Sequence, residues 1–308
     1  MEKGSFLSAD KKSEIQYYVF EDKSVKPIAV LQISHGMQDY IFRYSDLISF
    51  LNANGIVVCG NDDLGHGYTS KSSNTDGFFA RKNGYKFVVN DLHTTTLLVK
   101  DRFKNLPFFM LGHSMGSFFA RYYAYLFPNE LTGLILEGTS GKVFGTSFGI
   151  FLAKLIQLFK GEKSDCRTIE KTMIKAYFKY IDDVQTGKEW VTSDAEKLKE
   201  YENDSRCNFR FTASAYKDML TVLKFVNSNK CVKGTNNKLP IFICSGAKDP
   251  VGNYGKGVCN VYSLYEKHKF NDLKLKLYPN ARHELHNEEI KTRTEFFNDV
   301  TNWIKDKI

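Results

Sequence analysis

The run Gly112-His113-Ser114-Met115-Gly116 is where chemistry is most legible in this chain. Glycines two positions either side of a serine suit a very tight strand-to-helix turn, because they let the strand and the helix approach. Such a turn lifts the serine oxygen above the sheet edge. It also sets the next amide N–H at a helix start, where developing negative charge is stabilised. The flanks meet that requirement: Phe108-Phe109-Met110-Leu111 reads as a strand and Ser117 to Ala124 as a helix. A serine hydroxyl is a weak nucleophile and needs a base, which in turn needs an acid to orient it. Asp249 follows the strand-like Ile241-Phe242-Ile243-Cys244, where Pro250 removes the next ladder donor. Asp272 competes but precedes its strand, at the opposite edge. His283 follows the last strand-like run, Leu273 to Tyr278; His286 is the alternative three residues on, and His268 lies before that strand. In these roles Ser114 attacks, His283 takes and returns the proton, and Asp249 fixes the imidazole tautomer.

An oxyanion formed in that attack needs two donors. The Met115 N–H, beside the nucleophile, is one. The other is expected from the loop Ser34-His35-Gly36-Met37-Gln38-Asp39, where Gly36 lets the backbone come close and the Met37 N–H is the donor.

The elements that must hold these residues alternate. Ile15–Phe20 and Ile28–Ile33 read as strands joined by the turn-like Glu21-Asp22-Lys23-Ser24. Short apolar runs recur at Ile56–Gly60, Pro107–Leu111, Leu134–Leu136, Ile241–Cys244 and Leu273–Leu277, which suits strands buried on both faces of a parallel sheet. Helical spacing covers Tyr44–Asn54, Phe87–Phe103, Met115–Phe127 and Glu288–Lys305, so strand and helix alternate as in an α/β sheet. Strand signals vanish over residues 139–235, where Phe144, Phe148, Phe151, Leu152, Leu155, Ile156 and Phe159 form one helical stripe. The expected organisation is a core of residues 1–138 and 236–308 with residues 139–235 inserted as a helical cap or lid.

Longer segments carry a family likeness. His35-Gly36-Met37-Gln38-Asp39-Tyr40-Ile41-Phe42-Arg43-Tyr44, Asn61-Asp62-Asp63-Leu64-Gly65-His66-Gly67 and Arg282-His283-Glu284-Leu285-His286-Asn287-Glu288 join the Gly-His-Ser-Met-Gly turn and Asp249-Pro250-Val251-Gly252. Together they resemble the monoacylglycerol lipase and lysophospholipase group of α/β-hydrolases, over about residues 28–305. The resemblance implies the α/β-hydrolase fold: a mostly parallel eight-stranded sheet flanked by helices, with an inserted helical cap. It also implies a triad in the chain order serine, acid, histidine, which Ser114, Asp249 and His283 follow. His35 and His66 are expected to brace their loops. Leu64 stands where a basic residue is common, and Met37 where a smaller one is, which narrows the acyl slot.

Composition excludes several classes. With 42% apolar residues, 25 Phe and 17 Tyr in 308, a sizeable core is affordable and disorder is not expected. The net charge is +8, but no arginine-rich run or nucleic-acid signature accompanies it, so nucleic acid is set aside as a partner. Six scattered cysteines form no CxxC pair, and there is no HExxH. No disulfide framework, metal or cofactor is expected. Neither a secretory leader nor a spanning run of about 18 apolar residues is visible. The reading is a cytoplasmic protein whose cap contacts the inner face of the membrane. The expected substrate is a lipid or ester with one fatty-acyl chain. Phe144, Phe148, Phe151, Leu152 and Leu155 are its candidate binding residues, lining an acyl tunnel or docking on a membrane beside Lys154 and Lys160. The alternatives are a short-chain carboxylesterase, a serine aminopeptidase anchored by Asp182, Asp183 or Asp194, and a non-catalytic ligand-binding protein. The intact Ser114, Asp249 and His283 argue against the last. Oligomeric state is not encoded legibly.

Overall fold

A computed structural model describes residues 1–178, 181 and 184–308. The strands are β1 (Glu2–Leu7), β2 (Glu14–Phe20), β3 (Ala29–Ser34), β4 (Ile56–Asn61), β5 (Phe108–His113), β6 (Gly133–Glu137), β7 (Ile241–Gly246) and β8 (Leu273–Tyr278). The helices are α1 (Ser45–Ala53), α2 (Gly67–Ser73), α3 (Gly84–Arg102), α4 (Met115–Leu126), α5 (Thr146–Lys160), α6 (Arg167–Tyr177), α7 (Ala195–Asn203), α8 (Ala213–Val226), α9 (Asn229–Gly234), α10 (Lys256–Lys267) and α11 (Ile290–Lys305).

The eight strands form one sheet in the order β1-β2-β4-β3-β5-β6-β7-β8, an α/β-hydrolase arrangement. β3 to β8 run parallel; β2 is antiparallel to both β1 and β4. β2 and β3 are consecutive but do not pair. The β3–α1–β4 crossover brings β4 to one edge of β3, β5 takes the other, and β2 adds to β4. The exposed β1 (EKGSFL), which lacks an apolar run, was not read from the sequence.

β3, β4, β5, β6 and β7 are buried along their whole length, as continuously apolar strands covered on both faces should be. Alternation divides their side chains. Phe109, Leu111, Ile135 and Phe242 pack with Leu47 and Leu51 of α1 and Phe296, Val300 and Trp303 of α11. Met110, Leu134, Leu136 and Ile243 face the opposite core, with Val88 and Leu92 of α3, Phe119 and Tyr123 of α4, and Val258 and Val261 of α10. Between β6 and β7 the chain runs through α5 to α9. The strand order reverses between β3 and β5, so the crevice beyond their carboxyl ends is the topological switch point where such sheets bind ligands.

Candidate active site

Ser114 stands at that switch point, between β5 and α4, with φ 51° and ψ −121°. This is a strained conformation for a residue with a Cβ, and the surroundings impose it. Its N–H donates to the Glu137 carbonyl at 2.9 Å, and its own carbonyl accepts from the Ser117 hydroxyl at 2.6 Å. The flanking glycines are steric requirements. A Cβ at Gly116 would fall 1.9 Å from the Ser34 carbonyl oxygen, and one at Gly112 would fall 2.6 Å from the Gly116 carbonyl oxygen. α4 therefore lies against the ends of β3 and β5, and the turn has no room to relax.

Asp249 follows β7 and is fully buried. Its Oδ1 lies 3.0 Å from His283 Nδ1 and accepts the Val251 N–H at 2.8 Å, while Oδ2 accepts the Ser245 hydroxyl at 3.0 Å. His283 follows β8 and is also buried. Burial alone would depress the pKa of its imidazolium. The charge and hydrogen bond of Asp249 outweigh burial and hold it above the ordinary histidine value. With Nδ1 committed to Asp249, Nε2 is the atom left to exchange a proton. Gly138 supports the ring closely: a Cβ there would be 3.1 Å from His283 Cε1.

The rejected candidates sit elsewhere. Asp272 pairs with Lys307, and His268 meets Asn229 at 3.0 Å on the surface. His286 Nδ1 lies 2.8 Å from Glu137 Oε1, and its ring stacks on Tyr44 at 4.2 Å between centroids.

Among the described residues, no backbone acceptor meets the Met37 and Met115 amides. The loop carrying Met37 is tied down around it. Asp39 accepts from the Gly36 N–H at 3.0 Å and the Tyr44 hydroxyl at 2.7 Å, and Asp62 accepts from Ile41 N at 3.1 Å and Tyr68 N at 2.9 Å. His35 bridges the same two loops: Nδ1 donates to the Gly36 carbonyl at 2.8 Å and Nε2 accepts the Asp63 N–H at 3.0 Å. Burial, with His35 nearby, pushes His66 down to about 3, so it is a neutral brace. Leu64 is buried in the α3/α4 core, packing where a basic side chain would need a partner.

Beneath His283 lies a polar cluster that no sequence pattern signals. Glu137 ends the otherwise apolar β6, fully buried, with His286 on Oε1. His113 adds its ring 4.8 Å from His283 and 4.9 Å from His286. Arg43 pairs with Glu284, which also accepts from Asn287 at 2.8 Å. Among the described residues, His113, Glu137 and His286 are the set whose ligand atoms, all within 4.8 Å, could hold a metal ion. One Glu137 oxygen is already engaged by His286, so the trio also stands as a carboxylate–imidazole pair.

One irregular segment, residues 188–193, ties the inserted helices to the His283 loop. Val191 O accepts both His283 N at 3.1 Å and Glu284 N at 2.8 Å; Arg282 Nη1 donates to the carbonyls of Glu189 at 2.6 Å and Thr192 at 3.2 Å. Trp190 thereby lies against His283, ring centroids 5.2 Å apart. A cavity of about 20 Å³ opens there, its wall including Met37, Glu170, Tyr177, Lys188 and Trp190. None of the α5 candidates lines it. Phe144, Phe148 and Phe151 are exposed, whereas Leu152 is half-buried against the core and Leu155 half-buried. Asp194 caps α7, accepting from Glu196 N and Lys197 N; Asp182 and Asp183 lie outside the described residues.

Fold and site geometry together are those of the α/β-hydrolase class, and the lipase and esterase relatives that follow put the chain in its carboxylic ester hydrolase branch. The chain belongs to the family described as serine aminopeptidase, S33, which it matches over residues 25–290. It is 24% identical over 293 residues to a monoglyceride lipase homolog of Monkeypox virus, covering 92% of this chain and 91% of the viral protein. It is 24% identical over 294 residues to the human monoglyceride lipase, covering 91% and 84%. A thermostable carboxyl esterase from Bacillus coagulans, solved in complex with glycerol, superposes with TM-score 0.92 at 31% identity, covering 99% of this chain and 98% of the esterase.

Proposed function

We propose that this chain hydrolyses monoacylglycerols, esters of glycerol with a single fatty-acyl chain, through an acyl-enzyme on Ser114. The observation that carries the chemistry is the buried Asp249–His283 pair at 3.0 Å, beyond the same sheet edge as the strained Ser114. His283 Nε2 takes the Ser114 proton as Oγ attacks the ester carbonyl, and the oxyanion is held by the Met37 and Met115 amides. His283 then returns the proton to the leaving alcohol, and water releases the acid by the same route. The substrate class is supported by the monoglyceride lipases among the relatives. It is also supported by the exposed apolar face of α5, which would rest on lipid while the substrate transfers.

One observation favours an aminopeptidase: Glu170, an acid able to anchor an amine, lines the cavity. Lys188 lines the same cavity and repels an ammonium, so the ester is preferred. The test is turnover of medium- and long-chain monoacylglycerols, lysophosphatidylcholine, short esters and aminoacyl amides, with fluorophosphonate labelling alongside. Monoacylglycerol turnover is expected, and Ser114→Ala should abolish it together with labelling. Turnover restricted to short esters or peptides would overturn the substrate class.

A further inference from the structure

Trp190 carries a buried donor that no described residue engages. Its indole Nε1 is shielded from solvent and, among the described residues, has no hydrogen-bond partner. Leaving such a group unpaired costs about 1–3 kcal/mol, so an orphaned donor at a cavity wall is a feature that requires an occupant. The donor is also held firmly. Val191, the next residue, accepts two amides of the His283 loop, and Arg282 grips the carbonyls of Glu189 and Thr192. The indole also packs against Tyr177, centroids 4.9 Å apart.

The position identifies which end of an ester would meet it. The carbonyl oxygen must point at the Met37 and Met115 amides, and the leaving oxygen must lie at His283. Trp190 packs on His283 and shares the cavity with Met37, so it faces the alcohol portion. The cavity offers a donor in Trp190, an acceptor in Glu170 and a cation in Lys188. A carboxylate or phosphate would meet Glu170, and an ammonium would meet Lys188. A hydroxyl both accepts and donates, and it suits both walls. About 20 Å³ accommodates one water-sized group and not a phosphocholine.

We propose that Trp190 and Glu170 form a hydroxyl-reading subsite, the indole N–H donating to and the carboxylate accepting from a free hydroxyl on the substrate's alcohol. This rests on the monoacylglycerol reading above and names the residues that select the head of that substrate.

The experiment compares kcat/KM for monodecanoylglycerol and for propyl decanoate, its hydroxyl-free counterpart, in the same micelles. The native enzyme should prefer the glycerol ester, and Trp190→Phe, which keeps an aromatic ring beside His283, should cut that preference about tenfold. A preference retained in Trp190→Phe overturns the subsite while leaving the monoacylglycerol reading intact. No preference in the native enzyme overturns the head-group selection itself. No cleavage of the glycerol ester overturns the monoacylglycerol reading, and the subsite with it. Should Trp190→Phe fail to fold by thermal melt, Glu170→Leu, which removes the acceptor, reads the same ratio: a fall supports the subsite and an unchanged ratio overturns it.

Discussion

Glu137 shows how a carboxylate buried beneath the site contributes to its electrostatics. Burial alone would raise its carboxyl pKa, but the facing His286 and His113 imidazoles outweigh burial and hold it below the ordinary value. For His286 the balance is mirrored: burial opposes the imidazolium, and Glu137 overcomes it and raises the pKa. The sign of the linkage follows. The lowered Glu137 contributes stability above the ordinary glutamate pKa, lost as pH falls through its folded value. The raised His286 contributes stability below the ordinary histidine pKa, lost as pH rises through its folded value. The pair is therefore worth most between about pH 4.3 and 6.5. Against burial, which opposes the imidazolium, Asp249 first, then Glu284 and then Glu137 raise His283. Because kcat/KM reports the free enzyme's base, its acid limb should titrate above the ordinary histidine value of about 6.5. Glu137→Gln is expected to move that limb to lower pH and to reduce stability by on the order of 3 kcal/mol, since it unpairs a buried ion pair. A pH–rate profile and a urea melt check both. A limb that stays in place would separate Glu137 from the catalytic base.

At the scale of elements, the sheet aligns Ser114, Asp249 and His283 at the ends of β5, β7 and β8, but the segment Glu189–Ser193 fixes the last of them. It is anchored through Val191 O, Arg282 and the Thr192 hydroxyl, which donates to the Asn287 carbonyl at 2.8 Å. Arg282→Ala frees the Glu189 and Thr192 carbonyls and loosens the segment that carries both the His283 supports and Trp190. Small misplacements of a catalytic base are expensive in rate, so kcat should fall by about tenfold or more with the fold retained. A kcat within twofold of native would show that the backbone bonds to Val191 suffice. This coupling was not legible in the sequence. β5 and α4 were, because apolar run, glycine turn and helical spacing are local signals that agree. So were Asp249 and His283, since each follows its own strand. The partner of β2 was not, because pairing depends on which edge a crossover leaves free. Nor were Glu137 and Trp190, since a charge at a strand end and an aromatic in an irregular segment have no period, and only the fold brings them to His283.

At the scale of the whole molecule, the inserted helices present a cluster of exposed apolar side chains on α5. α5 is apolar on two faces. One packs on α8 and the core through Ile150, Ala153 and Ile156, so closely that a Cβ on Gly149 would touch Leu220 at 2.9 Å. The other holds Phe148, Phe151, Leu158 and Phe159 in solvent, with Phe159 79% and Leu158 75% exposed. Helical spacing discloses a stripe but not what covers it, so tunnel lining or surface docking stood level with simple packing of the cap on the core. The outward turn of these side chains favours docking, since an apolar patch of this kind gains about 25 cal/mol for each Å² removed from water. Lys154 and Lys160 lie on the same helix, and each basic residue near an anionic surface adds about 1 kcal/mol. Among the described residues no helix is long and apolar enough to cross a membrane, so α5 would lie in the interface and not span it. The double substitution Leu158→Asp/Phe159→Asp is therefore expected to reduce co-sedimentation with vesicles containing anionic lipid by tenfold or more. It should slow cleavage of monoacylglycerol embedded in those vesicles far more than cleavage of a water-soluble ester. The ratio of the two rates is the measurement. An unchanged ratio with undiminished vesicle binding would mean that the exposed face of α5 serves something other than the lipid surface.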